Sequence, residues 1–175
     1  MRFDNLLKQR ESTIRERWLN LTLDTYPADS FAFLKNQKNQ FLNPVGNTIS
    51  RELGVLYRSL VNEVDPKAVT TSLDSILRIR SVQGFSPSQA VSFILLLKSV
   101  VREELEGELQ TREQFTDLQQ FELRIDQLAM QGFDVYSKCR EGVFQVRLNE
   151  LRRRANTIVG RLNRNDRQPE QEDDI

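Results

Sequence analysis

The chain has no histidine. That removes the commonest general base, the commonest zinc ligand and the residue that holds haem in globins. A hydrolytic triad or a metal site would need rarer parts, so the sequence offers no catalytic, cofactor-binding or metal-binding residue. Cysteine is nearly absent as well. Cys139 stands alone, a single thiol forms no internal disulfide, and nothing calls for an oxidising compartment. An excess charge of either sign is also missing, because 25 basic residues balance 25 acidic ones. A net charge of zero sets up no overall field for nucleic acid or an anionic membrane. The longest apolar run, Phe93-Ile94-Leu95-Leu96-Leu97, is far short of the roughly 20 residues of a membrane helix. The start, Met1-Arg2-Phe3-Asp4-Asn5, has an early acid and no signal-peptide pattern. A cytoplasmic protein is expected, with no membrane insertion and no nucleic-acid partner.

What is present is helical periodicity. The 175 residues amount to about one domain by the usual prior of roughly 100–200 residues each. A first helix is expected from Asp4, with Leu6, Leu7, Ile14, Trp18 and Leu21 on its buried stripe. Thr13 and Glu16 have capping-box spacing, which places a break near residues 11–13. Tyr26-Pro27 ends the run, since the residue before proline disfavours helical backbone. A short helix is expected over 30–41. Asn43-Pro44, Asp65-Pro66 and Ser86-Pro87 then repeat one device, an N-cap followed by proline at the first helical position. They open helices bearing Val45, Ile49, Leu53, Leu56, Leu60 and Val61, then Val69, Leu73, Ile76, Leu77 and Ile79, then the apolar run of a helix 87–109. Leu95 and Leu96 are expected in the core there. From 112 onward no proline interrupts a stripe of Phe115, Leu118, Phe121, Ile125, Leu128, Val135 and Cys139.

Beyond Gly142 the apolar residues thin to Phe144, Leu148, Leu151, Ala155, Ile158 and Leu162, a 4-3-4-3-4 step that suits a narrow seam against another helix. Arginines 147, 152, 153, 154, 161, 164 and 167 surround it. No strand alternation appears. The expected fold is all-α, a bundle of five to seven helices over 1–142, a C-terminal helix extension over 143–164 and a disordered acidic tail over 165–175.

Several blocks carry a resemblance. They are Arg17-Trp18-Leu19 through Asp24-Thr25-Tyr26-Pro27, Asn43-Pro44-Val45-Gly46, the stretch from Arg78 through Ser86-Pro87-Ser88-Gln89-Ala90-Val91, Phe133-Asp134-Val135-Tyr136 and Cys139-Arg140-Glu141. In this order and spacing they resemble the RsbRD N-terminal domain family. The resemblance implies a globin-like fold and a non-catalytic sensory or regulatory input domain, as in co-antagonists that carry a STAS output domain after a long signalling helix. This chain ends where that output domain would begin. It is similar instead to free-standing members linked to dissimilatory sulfur metabolism, which implies, as an alternative, a dimeric scaffold or assembly factor for a sulfite-reduction redox complex.

The candidate functional residues each have a plainer reading. Ser86 and Gln89 form either a recognition surface or a helix start, and the cap accounts for both. Arg78, Arg80 and Arg102, with Glu103, Glu104 and Glu106, form either a charged partner surface or anion pocket, or a solvated helix face with weak ion pairs. Cys139, between Lys138 and Arg140, is a redox-sensitive thiol if those cations depress its pKa, and a core residue if the stripe decides. Arg140, Leu151 and Ile158 complete the expected partner surface, with a protein partner and a homodimer through the C-terminal helices as its use.

Overall fold

A computed structural model of the chain describes residues 2–27, 43–62 and 65–165, without the side chains of 162–165. Among them there are six helices and no strand: α1 (Phe3–Gln9), α2 (Glu11–Asp24), α3 (Pro44–Val61), α4 (Pro66–Val82), α5 (Pro87–Glu104) and α6 (Arg112–Asn165). The chain forms two compact units, Met1–Arg140 and Glu141–Ile175. The helix expected over 30–41 and the tail expected over 165–175 lie, but for residue 165, outside the described residues.

The three proline boundaries form as their chemistry dictates. The Asn43 side chain accepts from the Gly46 amide at 2.8 Å, Asp65 from Lys67 at 2.9 Å and Ser86 from Gln89 at 3.3 Å. Helix α6 opens on a fourth cap that uses no proline. Gln114 donates its amide to Thr111 Oγ1, and its side-chain oxygen accepts from the Gln110 and Thr111 amides. The break between α1 and α2 falls at Arg10 without any side-chain cap. Thr13 and Glu16 lie within α2, so their capping-box spacing is not used.

The core is one cluster in the first unit. On α5 the buried residues are Ala90, Val91, Phe93, Ile94, Leu97, Val100 and Val101. These steps of three and four trace one face, so Leu95 points outward at 44 % exposure and Leu96 is only half-buried. The expectation that both are core residues is corrected by that phase. Helix α5 also stops at Glu104, short of residue 109, with Gly107 beyond it at φ 83°. On α2, Leu21 is exposed while Thr22 and Leu23 take the inner face, Thr22 returning its hydroxyl to the Trp18 carbonyl. Phe115 is likewise exposed.

Tyr57 on α3 ties α3 to α1 by donating to the Leu7 carbonyl at 2.9 Å, and it is fully buried. Burial, reinforced by Glu11, pushes its hydroxyl well above the usual tyrosine range, with Arg15 opposing. A raised folded pKa stabilises the fold fully below the unfolded value of about 10, and that contribution is lost as pH climbs above it. Stability should therefore fall beyond pH ~10 with a slope of at most about 1.4 kcal/mol per pH unit from this group. Urea unfolding of Tyr57→Phe across that range should show a flatter decline, and an unchanged slope would remove Tyr57 from the cause.

Candidate functional site

Arg80 sits on the buried stripe of α4, one turn beyond Ile76 and Leu77, and it is 0 % exposed. Its guanidinium donates to the Gln89 carbonyl at 3.1 Å, the Thr22 carbonyl at 3.3 Å and Thr25 Oγ1 at 2.9 Å. Three ring faces enclose it: Phe85 at 4.7 Å, Tyr26 at 5.0 Å and Phe93 at 5.0 Å. Carbonyl dipoles and ring quadrupoles are what compensate the charge, and no carboxylate takes part among the described residues. Burial pushes the Arg80 pKa down. Burial also raises that of Tyr26, against the Arg80 charge and the approach of the Arg80 guanidinium to its hydroxyl.

Local chain geometry builds this box. Helix α4 closes with Gly84 at φ 82°, and the Phe85 amide reaches back to the Arg80 carbonyl at 3.4 Å. That is the long bond of a Schellman ending, which needs glycine at the left-handed position and turns the next side chain back onto the helix. Phe85 thereby lands on the guanidinium of Arg80 and edge-on to Tyr26. Tyr136 of α6 donates to the Phe85 carbonyl. Beside the box lies a cleft of about 570 Å³ whose walls include Thr25, Tyr26, Phe85 and Gln89, the residues that hold the guanidinium.

The expected site residues separate into three places. Arg80 is in the box and not on a surface, which corrects that expectation. Ser86 and Gln89 are exposed and complete a reciprocal capping box, so their side chains are engaged in starting α5. Arg78 grips Asp74 with two nitrogens, Asp74 accepts from the Cys139 thiol at 3.5 Å, and Arg140 donates to the Ser81 carbonyl at 3.4 Å. In the second unit Leu151 and Ile158 are exposed at 63 % and 58 %.

Cys139 does not have the surroundings its neighbours in sequence suggest. Lys138 and Arg140 are one residue away on a helix and so turn about 100° from the thiol. The groups facing it are Asp74 and, behind that, Arg78. Burial and then the Asp74 carboxylate raise the Cys139 pKa, with Arg78 opposing. At neutral pH a disulfide reagent should label Cys139 more slowly than free cysteine, and Asp74→Asn should speed the labelling. Labelling faster than free cysteine would contradict this account.

Residues Leu73, Ile76, Leu77 and Arg80 follow the spacing i, i+3, i+4, i+7. An arginine in phase with an apolar stripe is the signal that the sequence carries for the box, and half-buried Ile79 beside it blurs that phase. Thr22, Thr25, Tyr26 and Phe93 carry no comparable signal, because only the fold brings them to Arg80. No helix among the described residues is long and apolar enough to cross a membrane.

Residues 12–151 match the family model described as the RsbT co-antagonist protein rsbRD N-terminal domain. No curated protein matches the chain, and no solved structure does.

Proposed function

Because this chain belongs to the RsbT co-antagonist protein rsbRD N-terminal domain family, which is of regulatory, input-like type, we propose that it is a non-catalytic input or adaptor domain acting through protein contacts of its C-terminal helix. The observation that supports this is the exposure of Phe144, Leu151 and Ile158, at 61 %, 63 % and 58 %. Apolar side chains at a seven-residue step, with Leu148 half-buried and Ala155 between them, make a seam that water serves poorly. A lone helix of some twenty residues is also marginal in water.

A second copy of the chain is the proposed occupant, since the 4-3 step is self-complementary and two-fold dimers are the commonest oligomers. Arg147, Arg154 and Arg161 lie seven residues apart along one edge of the seam. Like charges on both copies repel, so added salt should tighten the dimer by screening them. An acidic foreign partner would be released by the same salt. In sedimentation at tens of micromolar the intact chain should be a dimer, and Leu151→Asp with Ile158→Asp should be a monomer. Two monomers, at low and at high salt, would end the dimer reading.

The alternative is a dimeric helical scaffold for a sulfite-reduction redox complex. A scaffold needs only a packed interior, whereas an input domain needs somewhere for a signal to act. The cleft beside Arg80 favours the input domain.

A further inference from the structure

We propose that the cleft beside Arg80 binds a small monocarboxylate with an apolar body, a proposal that rests on reading the chain as an input domain and names its ligand class. Among the described residues, three buried side-chain polar atoms lack a hydrogen-bond partner: Arg15 Nε, Tyr26 Oη and Arg80 Nε. Two of the three belong to this one cluster, where the Tyr26 hydroxyl lies close to the Arg80 guanidinium without the geometry of a full hydrogen bond. Buried polar groups are nearly always paired, because leaving one unpaired forfeits its whole desolvation cost. Tyr26 is 5 % exposed and Arg80 is 0 % exposed, and Tyr26 both packs its ring on the guanidinium and lines the cleft.

The chemistry of the donors selects the ligand. A guanidinium N–H and a phenol O–H are both donors, and a carboxylate has two oxygens to offer such a pair. Among the described residues the buried positive charge has no carboxylate partner, so an anion gains there what a neutral amide does not. The walls contributed by Tyr26, Pro27 and Phe85 suit a hydrocarbon or ring as the rest of the molecule.

Reaching Arg80 Nε requires Tyr26 or Phe85 to give way, because the arginine has no exposed surface. The Phe85 carbonyl is the acceptor for Tyr136 of α6. Occupancy is thereby transmitted to α6 by a direct hydrogen bond.

The chain carries its own reporter. Trp18 is the single tryptophan, and it stacks on Phe93 at 6.4 Å, the ring whose centre is 5.0 Å from the Arg80 guanidinium carbon. Full-length protein should be titrated with benzoate, with hexanoate and with neutral benzamide at constant ionic strength, following Trp18 emission and melting temperature. At least one carboxylate should give a saturable emission change and a raised melting temperature, and benzamide should give neither. Tyr26→Phe, which removes one hydroxyl, should weaken that binding about tenfold, and Arg80→Met should abolish it. Silence from both carboxylates, an equal response to benzamide, or binding unchanged in Tyr26→Phe would each overturn the proposal. The input-domain reading would survive that failure, because it is decided separately by the behaviour of the Leu151 and Ile158 seam.

Discussion

Trp18→Ala is expected to cost about 3–5 kcal/mol, the usual range for truncating a buried aromatic side chain. Trp18 is 0 % exposed, and its indole N–H donates to the Phe93 carbonyl at 2.6 Å while its ring stacks on Phe93. It therefore joins α2 to α5 by both surface and hydrogen bond. The Phe93 carbonyl lies within α5 and keeps its helical partner when the indole goes, so the cost is chiefly the cavity left between helices. A typical domain has roughly 5–15 kcal/mol in all, and such a loss removes a large part of it. Urea unfolding followed by circular dichroism should show a midpoint far below that of the intact chain. A loss under about 1 kcal/mol would mean that the α2–α5 contact is not central.

The second large effect separates size from charge at one position. Arg80→Ala should cost about 2–5 kcal/mol, as for other long side chains truncated in a core. Arg80→Met, which keeps the volume, should change stability by less than about 1.5 kcal/mol in either direction. None of the acceptors is stranded by either change. The Thr22 carbonyl keeps the Thr25 hydroxyl at 2.6 Å and the Thr25 amide at 3.3 Å, and the Gln89 carbonyl keeps the Ser92 hydroxyl at 2.9 Å. What the arginine adds over methionine is a desolvated charge, which is costly to bury. Near-equal stability of Arg80→Met and the intact chain would mean that the guanidinium is kept for something other than folding. A loss as large for methionine as for alanine would make Arg80 a structural staple.

Much of the fold was legible because a few residues act through local chemistry alone. Proline at a first helical position and the side chain before it need no tertiary context, and α3, α4 and α5 begin where those pairs stand. The same logic does not hold at Thr13-Glu16, which lies within α2, whereas it describes the cap at Thr111-Gln114. Spacing permits a capping box, and only the course of the chain decides which one forms. Leu95 differs from its expected core position because five consecutive apolar residues hide the phase of the helix, which the flanking Ala90, Val100 and Val101 reveal.

The candidate site was less legible for a different reason. The Arg80 box joins residues of α4, the end of α2, the turn after Gly84 and two positions of α5, and no sequence period links these segments. Cys139 shows the same limit in a smaller compass. Its neighbours along the chain are cations, whereas its nearest charged neighbour in space is Asp74. The seam of Phe144, Leu151 and Ile158 was legible because it belongs to one helix, where spacing and face are the same statement.

Hydrogen exchange along α6, measured at low and at high protein concentration, tests most directly whether residues 143–161 form the surface on which the domain meets its partner copy. Unpartnered, that stretch is marginal and should exchange rapidly, while the part of α6 bearing Phe121, Ile125 and Leu128 is held by the core and should exchange slowly throughout. The account predicts that protection of 143–161 rises with concentration and that Leu151→Asp with Ile158→Asp abolishes the rise. Protection that is independent of concentration and unchanged by those substitutions would contradict it.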